Sequence, residues 1–335
     1  MTTNICLGFA GAIGNTPLIE IPSLSKITGC QILGKAEFLN PGGSVKDRAA
    51  LFMVEQAEKD GKLKLGGTIV EGTAGNTGIG LALVANAKGY RCVIVMPSNQ
   101  SPEKIDLLNT LGAEVELVAP VAFSNPEHFY HTAQRRSQSI ENAFWADQFE
   151  NIANSESHYQ TTAPEIWQQT GGAIDGIVMS SGTGGTIGGV TAYLKEKNPD
   201  IASYLIDPQG SGLYNFITEG IFKAAGTSIT EGIGINRGTA NFYRAKLDGA
   251  FQGSDLDAIE MAHYLLKHDG LFLGSSAALN VVGAVKLAKK LGKGKIIVTI
   301  LCDGGGRYQS RMFNNQWLAE KQLVPTGSID RILHD

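Results

Sequence analysis

Short apolar runs alternate with longer stretches in which apolar residues return every three or four positions, and this alternation fills most of the chain. Gly67-Thr68-Ile69-Val70-Glu71 reads as a buried strand, Thr77 to Lys88 as an apolar helix through Ile79, Leu81, Leu83 and Val84, and Cys92 to Met96 as a second strand. A helix from Pro102, with Leu107, Leu108 and Leu111 on one side, leads to a strand over Glu114 to Val118. The pattern breaks from Pro120 to Pro126, resumes as a helix near Glu127 to Ile140, and stops in the asparagine-rich stretch Asn142 to Asn154, where a domain crossing is expected. A second series follows, with strand Asp175 to Met179, helix Gly185 to Lys195, strand Ser203 to Asp207, helices Asp255 to His268 and Ala277 to Leu291, and strand Lys295 to Cys302. Strands that alternate with helices imply parallel sheets, so the expected fold class is α/β with two doubly wound parallel-sheet domains. Such sheets bind ligands beyond the carboxyl ends of their strands, and two of them facing each other enclose a cleft.

Composition narrows the function without naming it. At 335 residues the chain has room for about two domains. Hydrophobic residues make up 43% and charged residues 18%, which excludes disorder, and no apolar run approaches the roughly 20 residues of a membrane span. With 28 basic and 32 acidic residues and no basic block, the net charge of -4 draws the protein to neither nucleic acid nor anionic membrane. Small molecules are the expected partners. Cys6, Cys30, Cys92 and Cys302 lie far apart without CxxC spacing, as suits reduced thiols, and Met1 to Ala10 has no cationic start before an apolar stretch, so a cytoplasmic protein is expected. The six histidines form no HExxH pair, and no metal is expected.

The 42 glycines cluster where strands give way to helices, which is where the candidate chemistry lies. In Asn40-Pro41-Gly42-Gly43-Ser44-Val45-Lys46-Asp47-Arg48 a pliable loop places Lys46 on the first turn of a helix. The positive end of the helix dipole disfavours an ammonium there and pushes its pKa down. A neutral amine is a nucleophile, and the chemistry that most wants a neutral lysine is Schiff-base formation with a carbonyl, above all the aldehyde of pyridoxal phosphate. Ser181-Gly182-Thr183-Gly184-Gly185-Thr186 joins a strand to a helix, so its amides can converge on a phosphate. A dinucleotide site competes for this loop, because Gly182, Gly184 and Gly188 approximate the glycine fingerprint and Asp207 ends the next strand where a ribose-binding acid would sit. Gly72-Thr73-Ala74-Gly75-Asn76-Thr77-Gly78 offers backbone donors for a carboxylate and Asn76 for a ring hydroxyl. In Leu273-Gly274-Ser275-Ser276-Ala277, Ser275 is either a helix cap or the neutral partner of a pyridine nitrogen. A hydroxyl cannot keep that nitrogen protonated as a carboxylate would, which favours elimination over transamination.

These four motifs, in this order and spacing, resemble the cysteine synthase family of fold-type II pyridoxal-phosphate enzymes, which includes O-acetylserine sulfhydrylase and cystathionine β-synthase. The resemblance runs from Asn15-Thr16-Pro17-Leu18 to Asp303-Gly304-Gly305-Gly306-Arg307-Tyr308. It implies that Lys46 forms the Schiff base and abstracts the α-proton, and that Asn76 meets the cofactor's ring oxygen. Gly182, Thr183, Gly184, Gly185 and Thr186 would cradle its phosphate, with Ser275 facing the pyridine nitrogen. The substrate carboxylate would fall to Thr73, Thr77 and Gln148, with Ala74, Gly75 and Asn76 of the same loop also binding substrate and Gly232 and Gly234 lining the cleft. The implied reaction is β-replacement on O-acetyl-L-serine by sulfide through an α-aminoacrylate, in a homodimer that can dock the C-terminal peptide of a serine acetyltransferase. Residues 40–152 with 1–15 would form a smaller mobile domain, 153–325 with 16–39 a larger one, and 326–335 a tail.

The departures bear on substrate. Ala74 stands where the family commonly has serine, Ile152 where proline is usual, Ala277 where glycine is common, and Ile235-Asn236-Arg237 follows Gly234. Ala74 motivates a second expectation, a cysteine desulfhydrase or a serine-using cystathionine or cysteine synthase. Arg237 is read either as a solvated loop residue or as the receptor of a phosphorylated serine donor. A ligand-binding regulatory protein without turnover is the reading from another class.

Overall fold

The computed structural model describes residues 5–73 and 75–334. Its strands are β1 Leu18–Glu20, β2 Gln31–Lys35, β3 Thr68–Gly72, β4 Arg91–Pro97, β5 Glu114–Val118, β6 Ala143–Trp145, β7 Gly176–Met179, β8 Ala202–Pro208, β9 Gly249–Gly253 and β10 Ile296–Ile300. They form a four-stranded sheet in the order β5-β4-β3-β6 and a six-stranded sheet in the order β1-β2-β10-β7-β8-β9. All pairings are parallel except β1 with β2.

The central strands β3 and β7 are buried along their whole length, which is why they read as unbroken apolar runs. The larger core packs the helices Asp255–Asp269 and Ser275–Leu291 on one face of the six-stranded sheet, and Ile166, Ile187, Val190 and Leu194 on the other. Helices Lys46–Lys59 and Asn76–Lys88 supply most of the core against the four-stranded sheet. The expected elements are present with ends shifted by one to two residues. The sequence reading missed β1, β2, β6 and β9. β1 and β6 have three residues each, and Gly249-Ala-Phe-Gln-Gly253 owes its extended form to its pairing with β8 at a sheet edge.

Each sheet has one place where neighbouring strands send their chains in opposite directions, between β3 and β6 and between β7 and β10. Loops diverge there at the carboxyl ends and leave a crevice. The two crevices face each other.

A buried ionic network ties the start of the Lys46–Lys59 helix to the six-stranded part. Arg48 donates to Glu37 at 2.8 Å from both Nε and Nη2 and to Glu165 at 2.6 Å, and Lys35 lies 2.6 Å from Glu165. Thr16 donates to Glu37 at 2.7 Å. Arg48 is 1% exposed and Lys35 and Glu37 are fully buried, so the two cations balance two carboxylates where no solvent can.

Removing one member leaves a charge buried without its counterpart, so Glu37→Ala is expected to lower stability by about 3–5 kcal/mol, read as a drop in the urea midpoint. Burial raises the Glu165 carboxyl, but the hydrogen bonds and charges of Arg48 and Lys35 outweigh it and hold the group at about 2. A depressed carboxylate stabilises the fold above its ordinary value and ceases to do so as pH falls through the folded one. Urea midpoints should therefore fall between pH 4.5 and 2, with a shallower slope in Glu165→Gln.

Candidate active site

The carboxyl-end loops of β3, β6, β7 and β10 line one cavity between the two sheets, and Lys46 enters it from the loop that crosses between them. Val45 N–H donates to Cys302 O at 2.8 Å and Ser44 bridges to Asp303, so the chain before Lys46 lies along the end of β10. Lys46 is the first residue of its helix, as the sequence implied. Its amine has no hydrogen-bond or ion-pair partner among the described residues. Burial pushes its pKa down, opposed by Cys302, Asp303 and Glu37 and reinforced by Lys104. The expected direction holds, with burial as the leading cause.

Beyond β7, residues 180–186 wrap one wall. Gly184 takes φ +87° at the start of the Gly185–Lys197 helix, and a Cβ there would run into the backbone of Phe242. A Cβ on Gly182 would strike Gly232 O, and one on Gly185 the Asn154 side chain. The amides of Gly182, Thr183 and Gly184 have no acceptor among the described residues, and the buried hydroxyls of Ser180 and Ser181 are unpartnered. Unspent donors at a helix N-terminus suit an anion with several oxygens. Asp207, needed by the dinucleotide reading, does not line this cavity. It accepts the Tyr214 amide at 2.8 Å at the start of the Leu213–Glu219 helix, and burial raises it to about 6.

On the opposite wall, Thr73, Gly75, Asn76 and Thr77 follow β3, and Gln148 follows β6. Ala74 lies outside the described residues. Thr77 donates to Gln148 Oε1 at 2.5 Å, while Gln148 Nε2 donates to Glu71 Oε1 at 3.1 Å and Gly72 O at 3.0 Å. Burial, with Asp147 nearby, lifts Glu71 to about 8. Asn76 is held from both ends: its Nδ2 donates to Asp303 at 2.7 Å and its Oδ1 accepts from Arg307 at 2.7 Å. One amide hydrogen remains for a ligand. Tyr308 also donates to Asp303, at 2.6 Å.

Gly232 and Gly234, both at positive φ, line the cavity with Ile233 and Ile235. Ser275 is buried, but Gly274 occupies the cap position without a side-chain bond, so the capping role is overturned. The Ser275 hydroxyl accepts the Glu231 amide at 3.5 Å, and it is the next residue, Ser276, that lines the cavity.

Sequence reasoning missed the pair formed by Lys104 and Glu231. Lys104, 2% exposed, reaches from the four-stranded part to Glu231 at 2.5 Å, and Arg311 meets the other Glu231 oxygen at 2.7 Å. In the sequence Lys104 is an ordinary polar residue of an amphipathic helix. The reading of Arg237 as a solvated loop residue fails as well. It pairs with Glu150 at 2.6 Å and sits over Phe123, Phe149 and Tyr130, with ring centroids at 4.4, 5.1 and 5.4 Å. Its charge is already compensated, and it clasps the Gly232–Arg237 wall to the wall opposite.

The profile of the family described as Pyridoxal-phosphate dependent enzyme matches residues 9–303. The chain is 54% identical over 325 residues to cysteine synthase 1 of Neurospora crassa, covering 96% of this chain and 86% of that one. It is 52% identical over 326 residues to the cysteine synthase of Dictyostelium discoideum, covering 94% and 86%. The crystal structure of an O-acetylserine dependent cystathionine β-synthase from Helicobacter pylori superposes with a TM-score of 0.84 at 34% identity, over 92% of this chain and 98% of that one.

Gly184→Ala adds a Cβ at positive φ against backbone that cannot yield, so it is expected to cost about 1–3 kcal/mol in unfolding free energy. The same variant should lose phosphate-ester binding by the cavity, read by calorimetry.

Proposed function

The chain belongs to the cysteine synthase and cystathionine β-synthase family of pyridoxal-phosphate dependent enzymes, and from that premise we propose that it makes L-cysteine from O-acetyl-L-serine and sulfide by β-replacement. The observation that carries this reading is a desolvated, unpartnered lysine amine in the same cavity as a glycine turn with unspent amides. When bound, pyridoxal phosphate joins its aldehyde to an amine and spreads the negative charge left on an α-carbon into its ring. The residues fit that group. The turn Gly182 to Thr186 would hold the phosphate, Asn76 would give its free amide hydrogen to the ring oxygen, and the serine turn Ser275-Ser276, of which Ser276 lines the cavity, would face the pyridine nitrogen.

Lys46 would hold the group through its amine and is the base placed to take the α-proton of a substrate in the cavity. Its burial favours the neutral form this step needs. Gln148 has already committed both amide hydrogens, and Thr77 its hydroxyl, so the substrate carboxylate falls to the Thr73 hydroxyl and the first-turn amides of Asn76 and Thr77. Gln148 orients Thr77. The cleft walls move together around this loop, with 40–152 as the smaller, mobile part, and exclude water from the reacting carbon.

The homodimer and the docking of a serine acetyltransferase tail belong to the same proposal and rest on the family. So does a cytosolic location, which four unpaired cysteines support. Among the described residues no helix is long and apolar enough to cross a membrane.

The purified protein should be yellow, bleach with borohydride, and form cysteine from O-acetylserine and sulfide. Lys46→Ala should lower that rate by at least ~10²–10⁴-fold. Sulfide released from cysteine faster than cysteine forms would replace this reading with a desulfhydrase. Absence of turnover with any amino-acid donor would replace it with a regulatory protein.

A further inference from the structure

The helix Ala153–Ser157 runs through a π-helical turn, His158–Thr162, into the helix Ala163–Gln169. A π turn interrupts the regular hydrogen-bond ladder and recurs at functional sites. This one carries a histidine with no exposed surface, which no step above uses. Its Nδ1 lies 2.9 Å from Thr162 Oγ1 and its Nε2 3.2 Å from Thr186 Oγ1. Thr186 ends the glycine turn and faces the cavity.

Burial, reinforced by the positive charge of Arg48, keeps the imidazole neutral. A neutral ring has one donor and one acceptor nitrogen. The enclosed Thr162 hydroxyl has no other acceptor among the described residues, whereas the Thr186 hydroxyl opens onto the cavity and can donate to a ligand there, so the arrangement that uses every hydrogen gives the Thr162 hydrogen to Nδ1. The ring hydrogen is then on Nε2 and goes to Thr186 Oγ1. With that oxygen accepting from behind, the hydroxyl hydrogen of Thr186 is left to point into the cavity, where the amides of Gly182, Thr183 and Gly184 are also unspent.

We propose that His158 is a positioning residue for the cofactor phosphate: as the Nε2–H tautomer it donates to Thr186 and so commits the Thr186 hydroxyl to donate into the cradle. This rests on the assignment of the glycine turn to a phosphate. The π turn is what brings the ring to this depth, and Gly189, whose added Cβ would meet Tyr159 N at 2.7 Å and His158 Cβ at 2.9 Å, lets the two helices approach closely enough for the contact.

The tautomer is read directly from a long-range ¹H–¹⁵N spectrum of the histidine-labelled holoenzyme. The expected result is a neutral Nε2–H ring for His158 from pH about 5.5 to 8, across the range in which an ordinary histidine titrates. A Nδ1–H tautomer or an imidazolium overturns the proposal. In His158→Phe the ³¹P resonance of the bound cofactor should shift, and the affinity of the apoenzyme for pyridoxal phosphate should fall about tenfold. His158→Gln, whose Nε2 can donate to Thr186, should restore both. A folded His158→Phe with unchanged ³¹P shift and affinity also overturns it, and the spectrum of the unsubstituted enzyme decides the case should that variant not fold. Failure of the cofactor reading is separately visible, as a colourless protein indifferent to borohydride.

Discussion

The position of Lys46 depends on Arg48, two residues further along the same helix. A guanidinium buried among Glu37, Glu165 and Thr16 is tolerable only if every partner is in place, because the desolvation of each charge is large and only close pairing offsets it. That requirement fixes the first turn of the Lys46–Lys59 helix against β2 and the Ala163–Gln169 helix, while the rest of the helix packs into the core of the four-stranded sheet. The helix is thus held at one end by ionic contacts with the six-stranded part and along its length by apolar contacts with the other. The lysine emerges where the two meet.

The cavity follows from topology. Parallel strands need crossover helices, and wherever the crossovers change direction the loops at the strand ends part. Each sheet has one such point, and each supplies half of the site: a loop with unspent first-turn amides after β3 and a glycine turn with unspent amides after β7. Among the contacts that span the halves beside the cavity are Asn76 with Asp303 and Arg307, Lys104 with Glu231, and Arg237 with Glu150 and its aromatic neighbours. The Lys104–Glu231 and Arg237–Glu150 pairs balance charges across the cleft. The walls are thus joined beside the cavity by directional polar contacts.

Inside, side chains that seem to compete for a ligand are arranged in series. Gln148 is spent on Glu71 and Gly72 and so orients Thr77, as Asp303 and Arg307 orient Asn76 and as His158 is proposed to orient Thr186. Asn76 is left one fixed donor direction because its other positions are filled, and Thr186 would be left one in the same way.

Much of this was legible in the chain itself. Continuous apolar runs gave the buried strands β3, β4 and β7, three-to-four periodicity gave the helices, and glycines placed between them marked both ligand loops, since backbone can approach an anion only where side chains are missing. Local sequence could not reveal β1, β6 or β9, whose conformation comes from the neighbour they pair with. Nor could it reveal the partners of charged residues. Lys104, Glu231, Arg237 and His158 are unremarkable in their own segments, and only contacts spanning from 28 to 127 positions give them a role. Ser275 illustrates the limit: its sequence suits a helix cap, but the chain turns one residue earlier. The sequence determined the elements and the chemistry available at their ends, because backbone preference and apolar patterning are local. Tertiary structure decided which charges are buried together and which hydrogens remain free for a ligand, because desolvation and hydrogen-bond saturation are properties of the assembled cavity.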